Sequence, residues 1–129
     1  MAVSITALYA AILGLIIIAL GINVTIHRAK LRIPMGDGGN PTMLRMIRVH
    51  ANACEYVPLA LVLMLTYEMN GGWHSALNII GVALIAGRLS QSWTMWTTDM
   101  PGRGRQIDQS LTWLSIVALA VLNLWKIVA

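Results

Sequence analysis

Charge is scarce in this chain. Only 11% of its 129 residues are Asp, Glu, Lys or Arg, against about a quarter in an ordinary soluble domain. The acidic residues number five, and the single cysteine, Cys54, can form no disulfide within the chain. That leaves the redox compartment open and gives Cys54 the expected role of a small packing residue in a helix. No charged residue precedes Arg28. The first apolar run therefore has no basic segment before it, and no secretory signal is expected. Basic repeats interleaved with aromatics are also missing. The net charge of +4 does not make the chain a nucleic-acid binder, because its basic residues flank apolar runs. The three histidines, His27, His50 and His74, are too widely spaced for a helical metal pair, so no metal site is expected. No nucleotide or flavin motif occurs.

What is present is apolar. Hydrophobic residues make up 57% of the chain and the mean hydropathy is +0.70. One domain over residues 1–129 is the natural count at this length. About 20 apolar residues suffice to cross a bilayer as a helix, and four segments reach that length, at about 4–27, 41–69, 73–97 and 107–128. Gly, Pro and Asp punctuate the first loop at 33–39. Asn40-Pro41 reads as an N-cap followed by proline at the first helical position. Asn70-Gly71-Gly72 reads as a tight hairpin, and Pro101, Gly102 and Gly104 mark a last loop at 99–106. Only helices or closed barrels satisfy the backbone in hydrocarbon, and these segments are too long for barrel strands. The expected fold is an all-α integral membrane protein, a four-transmembrane-helix bundle. Ala7, Ala10 and Gly14 in the first helix, and Ala83 and Gly87 in the third, are expected to allow close helix contact.

The basic residues set the orientation. Arg28, Lys30, Arg32, Arg45 and Arg48 surround the first loop, Arg103 and Arg105 lie in the third, and Lys126 stands on the opposite side. The loops at 28–42 and 98–106 should face the cytoplasm, with both termini and the Asn70 hairpin across the membrane. Trp73 and Trp125 fit the outer interfacial belt, and Trp93, Trp96 and Trp113 the inner one.

Charges carried to membrane depth are costly, at about 2.5–3.5 kcal/mol each on the mildest scale. Such charges mark function. On the second helix, Arg45, Arg48, Asn52, Glu55 and Tyr56 fall within about 100° of arc at about 100° per residue. A second polar stripe on the third helix holds Arg88, Gln91 and Ser92, spaced to share a face. Glu55 lies about 15 Å along the axis beyond Arg45, and Arg88 about 13–14 Å before Thr97, which puts them at similar depth. An Arg88–Glu55 ion pair, within or between subunits, is the expectation. Pro58 removes the N–H partner of the Cys54 carbonyl. It should bend the helix, as a simple structural kink or, the second reading, as one that widens the space beside Glu55. Arginine forks suit carboxylates, and a glutamate and an asparagine suit an amine and amides. The stripe therefore fits a small polyanion that carries an amine.

The run Arg48-Val49-His50-Ala51-Asn52-Ala53-Cys54-Glu55-Tyr56-Val57-Pro58 resembles the second-helix signature of MAPEG, the membrane-associated proteins in eicosanoid and glutathione metabolism. The pattern R-x-x-x-N-x-x-E-Y-x-P is matched at every defined position. The likeness covers the whole chain and includes Gly87-Arg88-Leu89. Gly36-Asp37-Gly38-Gly39 and Glu68-Met69-Asn70-Gly71 look most like the small bacterial branch. The resemblance implies a homotrimer with glutathione bound between subunits and a hydrophobic co-substrate arriving through the lipid bilayer. It implies a transferase or peroxidase in which arginine stabilises the glutathione thiolate. Arg28, Arg48, Asn52, Glu55 and Tyr56 would hold the tripeptide, with Arg88 and Gln91 beside them. Arg103 or Arg105 would activate the thiol, with Ser92 a possible hydroxyl donor. The chain departs from the eicosanoid members late in the third helix. Gln91-Ser92-Trp93-Thr94-Met95-Trp96 holds no tyrosine, which sets beside the enzyme a non-catalytic membrane protein that binds glutathione or another small anion. A transporter is the weakest alternative, because no inverted repeat or broken helix pair is present.

Overall fold

The apolar runs form four helices in a computed structural model that describes residues 3–97 and 103–128, with side chains described up to residue 93 and from residue 109. They are α1 (Ser4–Leu31), α2 (Pro41–Met69), α3 (His74–Thr97) and α4 (Arg103–Val128). The first and last boundaries differ from the sequence reading. α1 continues past His27 because Arg28 and Lys30 occupy its last turn, where cations meet the negative end of the helix dipole. Arg32 then ends it in a left-handed conformation, φ 55°. α4 begins at Arg103, so the last loop is shorter than expected and Gly104 lies inside a helix.

The first loop is built as its residues suggest. Gly36, Gly38 and Gly39 all take positive φ, and Asp37 Oδ1 accepts from the Gly39 N–H at 2.9 Å. Asn40 caps α2: its Oδ1 accepts from the N–H groups of Thr42 and Met43, both at 3.0 Å. Pro41 follows at the first helical position. α2 then runs through Pro58 to Met69 without a break.

Short connections make the helices run alternately up and down. α2 and α3 sit at the centre, each touching both α1 and α4, while α1 and α4 do not meet among the described residues. The core combines Tyr9 and Leu13 of α1, Val57, Ala60, Met64 and Tyr67 of α2, Leu77, Ile80 and Leu84 of α3, and Leu119 of α4. Outside it, apolar side chains face outward: Leu15, Ile79 and Ile127 are 73%, 70% and 75% exposed. Water would penalise that surface, and lipid does not. α1, α2 and residues 109–128 of α4 are each long and apolar enough to cross a membrane. Of the four spans expected, α3 is not among these, because Asn78, Arg88 and Gln91 make its described residues more polar. Trp73, Trp93, Trp113 and Trp125 are all exposed, as outward anchors should be; the side chain of Trp96 lies outside the described residues.

Close helix contact occurs at Gly81 and not at Gly14. A methyl group at Gly14 would meet nothing within 4 Å, whereas one at Gly81 would come within 2.5 Å of the Tyr9 ring. Gly81 is what lets α3 lie on α1. The same tyrosine holds α3 through Oη, 3.1 Å from the Asn78 carbonyl and 3.0 Å from Asn78 Oδ1. Gly81→Ala should therefore destabilise the protein by about 1–3 kcal/mol through overpacking, read as a lower midpoint of thermal unfolding in detergent. An unchanged midpoint would mean that α1 can slide away from α3 freely.

At the end of the bundle that holds the Asn70 hairpin, Glu68 performs a task absent from the sequence reading. Val3 supplies no side-chain cap to α1. Instead, Glu68 accepts from the Ile5 N–H with Oε1 at 3.0 Å and from the Thr6 N–H with Oε2 at 2.7 Å. A carboxylate at a helix N-terminus satisfies orphan donors and complements the dipole. A further tie comes from Asn123 of α4, whose Nδ2 reaches the Leu63 carbonyl of α2 at 2.9 Å.

Candidate functional site

The polar stripe of α2 is divided by the bundle. Asn52 points inward and is 9% exposed. Arg48 and Glu55, one turn to either side, are exposed, and Tyr56 is half-buried. The spacing explains the division. Positions 48, 52 and 55 spread over about 60° of the helix surface, wide enough for the edge of the buried face to fall between them.

Beneath the stripe lies a network joining three helices. Arg88 is 1% exposed and is among the largest fully buried side chains. Its Nη1 donates to Asn52 Oδ1 at 2.8 Å, and its Nη2 donates to Thr112 Oγ1. Asn52 in turn donates from Nδ2 to Gln109 Oε1 at 3.0 Å. Arg88 of α3 is thus tied to α2 and α4 at once. Burying a guanidinium is costly unless its donors find acceptors, and α2 and α4 each supply one. Gln91, one turn on from Arg88, is also buried.

This arrangement corrects the expected Arg88–Glu55 pair within the chain. Arg88 takes Asn52, and Glu55 makes no hydrogen bond or ion pair among the described residues. Asn52 and Glu55 are one turn apart on one stripe, and depth and wheel angle do not choose between them.

The other predicted residues fall in varied places. Arg28 donates from Nη1 to the Gly36 carbonyl at 2.7 Å, steadying the loop after α1. Arg45 donates to Thr42 Oγ1 at 3.2 Å. Ser92 donates its hydroxyl proton to the Arg88 carbonyl one turn back, at 2.8 Å, so this proton is engaged within α3. Tyr56 lies against Trp113 of α4, with ring centroids 6.4 Å apart and planes tilted by 60°. The side chains of Arg103 and Arg105 lie outside the described residues. Their backbone is helical, so two residues of separation set them about 200° apart around α4. Cys54 is not a packing residue. It is exposed, with Sγ 3.5 Å from His50 Nε2. His50 does pack, against Gly21 of α1.

Gln109 and Thr112 were not singled out by the sequence reading. The signal for them was available: two polar side chains three residues apart in an apolar helix share a face, and such a face in a membrane helix looks for partners.

The arrangement offers one exposed cation, one exposed carboxylate and one half-buried phenol on a single face, above a rigid buried floor. Such a face can hold a small zwitterion through its carboxylate and its amine. Known proteins resemble the chain along nearly its whole length. The MAPEG family profile matches residues 6–125. The inner membrane protein YecN of Escherichia coli strain K12 is 36% identical over 121 residues, which cover 94% of this chain and 91% of that protein. YecN of Escherichia coli O6:H1 matches to the same extent.

Proposed function

The chain belongs to the MAPEG family, and from that premise we propose that it is a glutathione-dependent membrane transferase or peroxidase acting on a hydrophobic electrophile. The observation that carries the reading is the exposed pair on α2. Arg48 and Glu55 leave the bundle interior on the side of the signature stripe. An integral membrane protein that holds a cation and a carboxylate outside its own core has a use for them there, since unpaired charge in hydrocarbon is costly. A neighbouring subunit and a ligand between the two would cover both. The quaternary structure under this reading is a homotrimer.

Each group then has a role. Arg48 takes a carboxylate of the tripeptide, because a guanidinium fork matches carboxylate geometry. Glu55 takes the ammonium group. Tyr56, steadied by Trp113, hydrogen-bonds the peptide part. Asn52 and Arg88 form the floor that fixes the orientation of α2. Glutathione supplies the thiol chemistry, and a cation from the start of α4 favours the thiolate. The electrophile arrives from the lipid side, where the outer surface is apolar. The loop after α1 and the start of α4 face the cytoplasm, because the basic residues gather there.

Calorimetry with glutathione, together with turnover of an aryl halide, tests the proposal. The wild-type protein should bind glutathione, show thiolate absorbance and turn over. Glu55→Gln should weaken binding about tenfold or more, the scale of a lost charge-assisted hydrogen bond, with the fold intact. Unchanged affinity would remove Glu55 from the site. Binding without thiolate absorbance or turnover would instead favour the non-catalytic binder, the reading that the tyrosine-free stretch Gln91–Trp96 supports.

A further inference from the structure

The net charge of the chain is concentrated at one place. Residues 28–48 hold five cations, Arg28, Lys30, Arg32, Arg45 and Arg48, against the single carboxylate of Asp37. The rest of the chain holds four cations and four carboxylates. The whole surplus of +4 therefore gathers around the loop after α1. Arg28 is engaged with that loop and Arg45 with Thr42. The side chains of Lys30 and Arg32 are exposed and make no hydrogen bond or ion pair among the described residues. The loop itself is held firmly. Arg32 ends α1 at φ 55°. Ile33 turns back, so that a methyl group at Gly38 would come within 2.9 Å of its side chain. The Arg28 guanidinium holds the Gly36 carbonyl at 2.7 Å. Between these two fixed points Met35 is 86% exposed. Water penalises an apolar side chain presented in this way, and acyl chains do not. Depth brings acyl chains within reach. α1 has 28 residues, or about 42 Å at 1.5 Å per residue, which matches the roughly 40–45 Å of a bilayer with its headgroups. The last turn of α1 and the loop beyond it lie at the level of the phosphates.

We propose that the loop after α1 is a binding site for anionic phospholipid of the cytoplasmic leaflet: Lys30 and Arg32 take the headgroup phosphate, and Met35 enters the acyl chains behind it. Apolar contact and attraction to anionic lipid add together at a membrane interface. Each cation near an anionic membrane surface changes affinity about fivefold. A zwitterionic headgroup offers the same phosphate but cancels its charge with an ammonium group, so it fits two unpaired cations less well. The site depends on the membrane placement of the chain alone, and glutathione has no part in it.

Native mass spectrometry of the full-length protein released from detergent tests the site, with phosphatidylglycerol and phosphatidylcholine supplied at equal concentration. The wild-type protein should retain phosphatidylglycerol in preference. Lys30→Gln combined with Arg32→Gln should cut that preference about fivefold for each cation removed. Arg32→Lys keeps the charge and should leave the preference intact, as should Lys126→Gln at the opposite end of the bundle. Equal retention of the two lipids by the wild-type protein would overturn the proposal, and so would a preference that survives the double substitution. An equal loss in Lys126→Gln would make the effect one of total charge and would also overturn it. Displacement of the lipid by millimolar inorganic phosphate would assign the site to a soluble anion instead. A second measurement leaves every charge in place. Met35→Cys, made in a Cys54→Ser background and labelled with a nitroxide, is placed in phosphatidylglycerol vesicles. The label should collide more often with oxygen, which concentrates among acyl chains, than with a water-soluble nickel chelate. The reverse order would put position 35 in water, and the loop would then have no hold on the lipid.

Discussion

Arg88→Ala should lower stability by about 3–5 kcal/mol, the range for losing a large buried side chain or one partner of a buried charged network. The substitution leaves a cavity among three helices. It also leaves Asn52 and Thr112 facing a space that held their donor. Part of the loss is offset, because a buried guanidinium no longer has to be desolvated. Arg88→Met separates the contributions. If volume dominates, methionine recovers most of the stability; if the hydrogen bonds dominate, it recovers little. Arg88→Lys keeps a charge but cannot reach Asn52 and Thr112 together, because an ammonium lacks the planar fork, and should fall between the two. Thermal unfolding in detergent checks all three. A drop of less than about 1 kcal/mol for Arg88→Ala would mean that the three helices hold their places without this residue.

Arg105→Ala should lower aryl-halide turnover with glutathione by about 10²–10³-fold, the loss typical of removing one group that stabilises developing negative charge. Arg103→Ala should have a small effect. The reason lies in the register of α4. Positions 105, 109 and 112 follow the i, i+4, i+7 spacing of one helix face, and Gln109 and Thr112 on that face meet Asn52 and Arg88. Position 103 is about 120° from Gln109 around the axis. Both variants should bind glutathione with little change, so the effect belongs to the reacting thiol. The opposite order, with Arg103→Ala the damaging change, would place the thiol against the other face of α4.

Much of the fold was legible because the bilayer imposes simple demands. Long apolar runs, Asn40-Pro41 at a helix start and Asn70-Gly71-Gly72 at a hairpin located the helices. The ends shifted where a residue has two uses. Arg28 and Lys30 read as a flanking loop but also suit a helix C-terminus. Gly104 reads as a turn former, yet a helix tolerates one glycine at a cost near 1 kcal/mol. The polar stripes of α2 and α3 were legible as stripes. Which member of the α2 stripe Arg88 takes was not, because the answer comes from Gln109 and Thr112 on a helix far along the chain. Contact between helices at Gly21 and Gly81, and not at Gly14, likewise depends on which ring each glycine faces. Glu68 shows the limit most clearly. Its role is set by its distance from Ile5 and Thr6, which only the packed pair of helices defines.

That carboxylate has a consequence for how the protein is made. The donors it satisfies belong to residues 63 and 62 positions earlier, at the opening of α1. During synthesis the first helix emerges with its leading N–H groups still waiting for an acceptor that has not yet been translated. Away from water, each such group costs several kcal/mol while it waits. α1 and α2 are therefore best delivered to the bilayer as a hairpin, with the last turn of the second completing the first turn of the first.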